Sequence, residues 1–509
     1  MKKIIYIFLL GLIASACGDM DEINLNPDKP VTVTPDFLVT YVLNDATYSP
    51  KSKWLLSDSW LMKSTSFTEH MEWYLYNKFE RDHTYSENFG NYEILINSKK
   101  MRELAEADEF MTTEEKNGYL GFDHFMRAFY FYKTTMAMGD VPCSEALEGE
   151  DGNTTPKYDP QEDVFHTIIT ELQTASQLFD SGSSFKGDFV YNGNTDLWKR
   201  ATNSFLLRVL NMLSSKTTVK GVNVKELFEQ TATKPLLENE TNSFQRVYSE
   251  SKSSQWYPFY FENQNWWSFP VMTNFLVDMM KDLNDYRLFY YAEPAPNLVS
   301  VGGDSFDAYS GVNPVLPYGQ VQTEYTNGDH SSINKRYYRV PQGEPIKFIA
   351  YSEIQFILAE AALRGWNTPS SAKAHYDNGV RAAMLFTGNN TPADYNHGRV
   401  IDGDYVDAYL AGEAAFDSAN GLEQIMTQKY IAAFVQLPFN SFFDYRRTGF
   451  PNLPIDPATN MNEVKTQLPL RWMYPMKEYS LNRENIEAAI DRQFDGSDTP
   501  NDIMWLLKN

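Results

Sequence analysis

The sequence predicts a mainly α fold, a scaffold of helix pairs interrupted by long irregular loop insertions. Three observations predict it: apolar residues recurring at spacings of three and four, helix start and stop signals around those stripes, and aromatic- or glycine-rich stretches with no regular period.

The clearest helix begins after Pro156-Lys157-Tyr158-Asp159-Pro160-Gln161-Glu162. Here Asp159 is placed to cap, Pro160 to take the first helical position and Glu162 to close a capping box. Its apolar stripe is Val164, Ile168, Leu172, Ala175 and Phe179. A helix before it carries Phe122, Phe125, Met126 and Phe129 on one face, and one after it carries Trp198, Ala201, Phe205, Val209 and Met212. Later, Ser352 and Gln355 read as a second capping box ahead of Ile354, Ile357, Leu358, Ala361 and Ala362, with Gly365 placed to end the helix. A return helix over Pro369 to Phe386 turns Ala372, Tyr376, Val380, Ala383 and Met384 to one side, giving a hairpin of roughly tetratricopeptide length, about 34 residues. A further helix runs from Leu422 to about Val435.

The first residues are of another kind. Lys2 and Lys3 precede an apolar run from Ile4 to Leu12, then Ala14, Ser15, Ala16 and Cys17. The run is too short for a membrane-spanning helix, which needs about 20 apolar residues, and suits an export signal. Small residues directly before a cysteine fit lipoprotein processing, so residues 1–16 read as a lipoprotein signal peptide and Cys17 as the lipidation site; an ordinary secretory signal is the alternative. Residues 17–34, polar and broken by Pro27 and Pro30, read as an extended tether, and residues 35–509 as the folded domain. No later apolar run approaches spanning length.

Composition limits the partners. Forty-four basic residues against 67 acidic ones give a formal charge of -23, which repels nucleic acid and other polyanions and suits neutral solutes or cationic peptides. With two cysteines and Cys17 lipidated, Cys143 is left unpaired. The seven histidines, at 70, 83, 124, 166, 330, 375 and 397, are too scattered for zinc-binding helix pairs. No metal, cofactor or catalytic residue is expected.

Several stretches together resemble the SusD/RagB family of nutrient-binding outer-membrane lipoproteins of Bacteroidetes. They are Gly139-Asp140-Val141-Pro142 leading into Ser144-Glu145-Ala146-Leu147, the Pro156 to Pro160 helix start, and Tyr191-Asn192-Gly193 with Trp198, Asn203, Leu207 and Arg208. Further along come Glu353 with Ala359-Glu360-Ala361, Gln428-Lys429, Asp444-Tyr445-Arg446-Arg447-Thr448-Gly449-Phe450-Pro451, and Arg471 with Tyr474-Pro475. Cys143 stands where the family commonly has tyrosine, and Asn284-Asp285-Tyr286-Arg287 replaces a more usual Asp-Pro-Arg. The resemblance implies a SusD-like helical scaffold over residues 35–509 that binds a nutrient, oligosaccharide or oligopeptide. It also implies that the protein, facing the cell exterior from the outer membrane on its lipid anchor, serves as the lid of a SusC-like TonB-dependent transporter. A non-enzymatic role follows. The alternatives are a surface glycoside hydrolase, which needs only two carboxylates about 5 to 10 Å apart, and a structural lid without its own ligand.

Ligand-binding candidates come from aromatic density. Between Gln255 and Phe275 stand Trp256, Tyr257, Phe259, Tyr260, Phe261, Trp266, Trp267 and Phe269, interleaved with Asn263, Gln264 and Asn265. Flat amphipathic rings of this kind suit sugar rings or peptide side chains, and core packing is the competing reading. Trp256, Tyr257, Asn265, Trp266 and Trp267 are the candidates here. A second cluster, Trp73, Tyr74 and Tyr76, lies beside His70. The glycine-rich loop from Val301 to Asp329, with Tyr309, Tyr318 and Tyr325, offers Tyr309 as a pocket wall. Arg446 and Arg447 read as scaffold, paired with buried carboxylates.

Overall fold

A computed structural model describes residues 33–47, 58–68, 79, 89–260, 270–303 and 305–508. The main helices are α1 (Pro35–Thr47), α2 (Gly90–Ala107), α3 (Thr113–Met138), α4 (Gln161–Ser181), α5 (Thr195–Met212), α6 (Tyr351–Leu363), α7 (Ala372–Asn389), α8 (Gly421–Ala432) and α9 (Asn440–Thr448). Among the described residues strands are few and short: β1 (Thr65–Phe67) pairs with β3 (Pro270–Met272), and β2 (Phe244–Arg246) pairs with β4 (Ile346–Ile349), both antiparallel. The fold is mainly α, as the stripes require. Consecutive helices pack on one another: α3 on α4, α4 on α5, α2 on α3 and α6 on α7.

The stripes are buried where the periodicity puts them. Val164, Ile168, Leu172, Ala175 and Phe179 of α4 and Trp198, Ala201, Phe205, Val209 and Met212 of α5 all lie in the core. At its centre the Phe125 ring of α3 meets Trp198 at 5.1 Å, Phe244 at 5.5 Å and Phe205 at 5.9 Å, with tilted and edge-to-face geometry that satisfies the ring quadrupoles.

Helix ends are less faithful to the sequence. Asp159 does not cap α4: its carboxylate accepts the Cys143 and Ser144 N–H groups at 3.0 and 2.7 Å. Asp140 takes the vacated role, accepting the Gln161 N–H at 2.7 Å from a position 21 residues earlier. Likewise α6 starts one residue before Ser352, and Glu353 rather than Gln355 reaches back to the Ala350 N–H. Gly365, with φ +82°, follows α6 as expected. The helix α8 stops at Ala432, short of Val435.

Buried ion pairs join the scaffold. Arg208 of α5 donates to Glu353 of α6, which also accepts from Asn440 of α9 at 2.9 Å. Glu360, two turns further along the same face of α6, lies between Arg447 of α9 and Arg364, with Asn211 at 3.0 Å. Burial alone would raise its pKa, yet the two guanidinium groups outweigh it and hold the carboxyl at about 2. Arg447 is thus a scaffold cation as the sequence suggested, and Arg446 donates to the Leu470 and Met136 carbonyls at 2.7 and 2.8 Å. The departure at 284–287 also keeps its pair: Asp285 and Arg287 are buried together at 3.0 Å, and Tyr286, in place of proline, stacks on Tyr405 at 3.9 Å. Cys143 is a buried free thiol, pushed up to about 12 by burial.

Candidate ligand site at the β1/β3 edge

Two short strands adjoin, in the chain, the segments that the sequence singles out. The register Thr65↔Met272, Ser66↔Val271, Phe67↔Pro270 sets the last residue of β1 against the first residue of β3. The chain runs on from Phe67 through Thr68 toward Trp73, Tyr74 and Tyr76, and arrives at Pro270 from Asn265, Trp266 and Trp267. All six of these candidates lie outside the described residues, as does Cys17. Their points of attachment, in contrast, are fixed side by side, about 5 Å apart as paired strands are.

The third segment is laid against the other side of β3. Met272 donates to the Ser331 carbonyl at 2.9 Å and Val312 donates to the Met272 carbonyl at 3.0 Å, while Asn274 donates to Val312 at 2.9 Å. Gly311 permits this approach: a Cβ there would stand 2.1 Å from the Thr273 carbonyl carbon. Val271, Val312 and Val321 close a small apolar cluster that Leu316, Tyr318 and Tyr325 flank. The Tyr318 hydroxyl donates to the Thr68 carbonyl at 2.7 Å, tying this loop to the exit of β1.

The described candidates divide by burial. Trp256 is half-buried, its indole N–H donating to the Glu250 carbonyl at 3.3 Å and its ring edge-to-face with half-buried Tyr260 at 5.1 Å. Tyr257 is 0% exposed, wedged between Tyr248 and Phe259 at 5.3 and 5.1 Å. Tyr309 is 1% exposed and packs on Phe289 at 5.0 Å. In this conformation Tyr257 and Tyr309 are therefore core rings with no face turned to solvent, the competing reading of aromatic density.

A polar group that sequence reasoning passed over lies nearby. Glu293 accepts the Lys335 N–H at 2.8 Å and pairs with Lys335 Nζ at 3.0 Å, and His397 Nε2 stands 3.6 Å from it. Burial would raise the Glu293 pKa, but His397 and both Lys335 donors hold it at about 2. Burial, then the Glu293 charge, pushes Tyr338 up to about 12. His330 contacts Ser310 at 3.2 Å and Glu324 at 3.5 Å. The only signal for this group is the crowded run Asn334-Lys335-Arg336-Tyr337-Tyr338-Arg339, which has no period and whose partners come from 293, 325 and 395–397. Hydroxyls, amides and paired charges beside aromatic rings can hydrogen-bond and stack a polar solute.

Comparison with known proteins adds family context. A family model described as "SusD-like, starch-binding associating with outer membrane" matches residues 27–475. A SusD homolog from Bacteroides fragilis superposes with a TM-score of 0.87 at 38% identity, covering 94% of this chain and 100% of that one. A second SusD homolog from the same species gives 0.81 at 31%, and an outer membrane protein of Bacteroides vulgatus, described in connection with nutrient binding, gives 0.82 at 30%, each with the same coverage. No curated protein matches the chain.

Proposed function

The chain belongs to the SusD/RagB family, and on that premise we propose that it is a cell-surface lipoprotein that captures a nutrient glycan and passes it to a SusC-like TonB-dependent transporter, whose lid it forms. The packing of the 310–333 loop against the β1/β3 edge carries the binding part of this reading, because a solute landing there would meet Tyr318 and Tyr325, and the chain continues from that edge into the aromatic-rich stretches around Trp73 and Trp266. The family description favours starch-like oligosaccharides over peptides, and the acidic surface leaves cationic peptides as the second class to test.

Anchoring rests on the sequence around Cys17. Several acyl chains on one residue would hold the protein firmly, at ~0.8 kcal/mol per buried CH2. Binding without turnover separates this function from a glycosidase. Calorimetry of the mature chain with malto-oligosaccharides and lysine-rich peptides is expected to show saturable binding to one class, and chromatography to recover that ligand unchanged. Absence of binding to both classes by folded protein would leave only a structural lid, and cleaved ligand would make it an enzyme. Cys17→Ala is expected to release the protein from outer-membrane fractions.

A further inference from the structure

The most strained backbone among the described residues lies away from the β1/β3 edge, between α8 and α9. Val435, Leu437 and Phe439 hold φ of 55°, 48° and 64°, three left-handed non-glycine residues in five positions, and all three are buried. A β-branched valine in this region is a clear outlier, and such conformations persist only where the surroundings over-determine them.

Gln436 supplies much of that determination. Its Oε1 accepts the Lys347 N–H at 2.8 Å, and its Nε2 donates to Glu344 Oε1 at 2.9 Å and to the Pro345 carbonyl at 3.1 Å. The Leu437 N–H adds a bond to the Lys347 carbonyl at 3.1 Å. Followed outward, these contacts lead in two directions. Through Glu344, whose other oxygen takes Arg336 at 2.7 Å, they reach Gly343, and the Tyr257 ring lies so close on Gly343 that a Cβ would stand 2.2 Å from it. Tyr257 also donates its N–H to the Pro341 carbonyl at 2.6 Å. In the other direction, the Phe439 N–H donates to the buried carboxyl of Asp58, which opens the short helix and turn leading into β1.

We propose that Gln436 is a positioning residue which, through the strained 435–439 segment, sets chain 58–68 and chain 256–260 in fixed relation, so that the two stretches from which the chain enters its aromatic-rich segments move together. The relevance of this coupling to ligand capture rests on the proposed binding function; the coupling itself is testable without ligand. Gln436 is then more than a local hydrogen-bonding group. A local role would confine the effect of its loss to 344–347 and 434–440.

Hydrogen exchange on the full mature chain, free of ligand, distinguishes the two. In Gln436→Met, amides in 58–68 and 256–260 are expected to exchange at least tenfold faster, while α3 and α4 keep their rates. Asp58→Leu, entering from the other end, is expected to speed the amides of Leu437 and Tyr257 in the same way, and serves if Gln436→Met does not fold. Acceleration limited to the mutated neighbourhood, or spread evenly over α3 and α4, overturns the proposal. The strain has its own readout: Val435→Gly is expected to melt above Val435→Ala, since glycine alone tolerates the positive φ, and the reverse order overturns that part. Calorimetry of the wild type with oligosaccharide then tests the binding function separately, because a failure there leaves the exchange result standing.

Discussion

The helical scaffold and the β1/β3 edge are built on opposite plans. In the scaffold, long periodic helices bury ring against ring around Phe125 and Trp198, and the buried charges of Glu353 and Glu360 each meet a guanidinium. Around the edge the strands are three residues long and are held by single backbone hydrogen bonds to the 310–333 loop, such as Met272 to Ser331 and Val312 to Met272. The contrast teaches where regular order is generated and where it is borrowed: long helices make a body with its own core, and strands too short to bury one are held against it.

The sharpest way to break this contrast is to unbalance the scaffold. Glu360→Leu takes from Arg364 its carboxylate and leaves Arg447 with Asp444 alone, and is expected to cost about 3–5 kcal/mol in denaturant unfolding. Next comes the buried acid of the edge. Burial raises Asp58 from 3.8 to about 8 against the Phe439 N–H. The folded protein therefore keeps a proton that the unfolded chain releases above about 4, so the contribution of Asp58 to stability is greatest below that pH and falls as pH rises toward 8. Melting temperatures of Asp58→Asn, compared with wild type from pH 5 to 8, are expected to fall less steeply. A smaller effect is expected of Tyr257→Phe, which removes a hydroxyl with no partner and should be neutral or stabilising by about 1 kcal/mol. Smallest of all is Trp256→Ala, at roughly 0.5 kcal/mol or less for a half-exposed ring, although ligand affinity in calorimetry should drop.

The same contrast explains what could be read in advance. The stripes of α4 and α5 were legible because a 3.6-residue period survives in sequence and burial follows it. Asp159 was misread as a cap because the choice between Asp159 and Asp140 depends on which N–H groups the folded loop delivers, and that is set by contacts 15 to 21 residues apart. Three-residue strands such as β1 and β3 have too few positions to show alternation, and neither Val435 nor Gly311 carries a local mark of its conformation. Aromatic density cannot separate half-buried Trp256 from buried Tyr257, since one sequence pattern serves both stacking and packing.

The central claim is that solute is taken up where β1, β3 and the 310–333 loop meet. Hydrogen exchange of the mature chain with and without a saturating malto-oligosaccharide tests it most directly. The account predicts protection in 65–68, 270–274 and 310–333, with α3 and α4 unchanged; protection confined to the outer faces of those helices would contradict it.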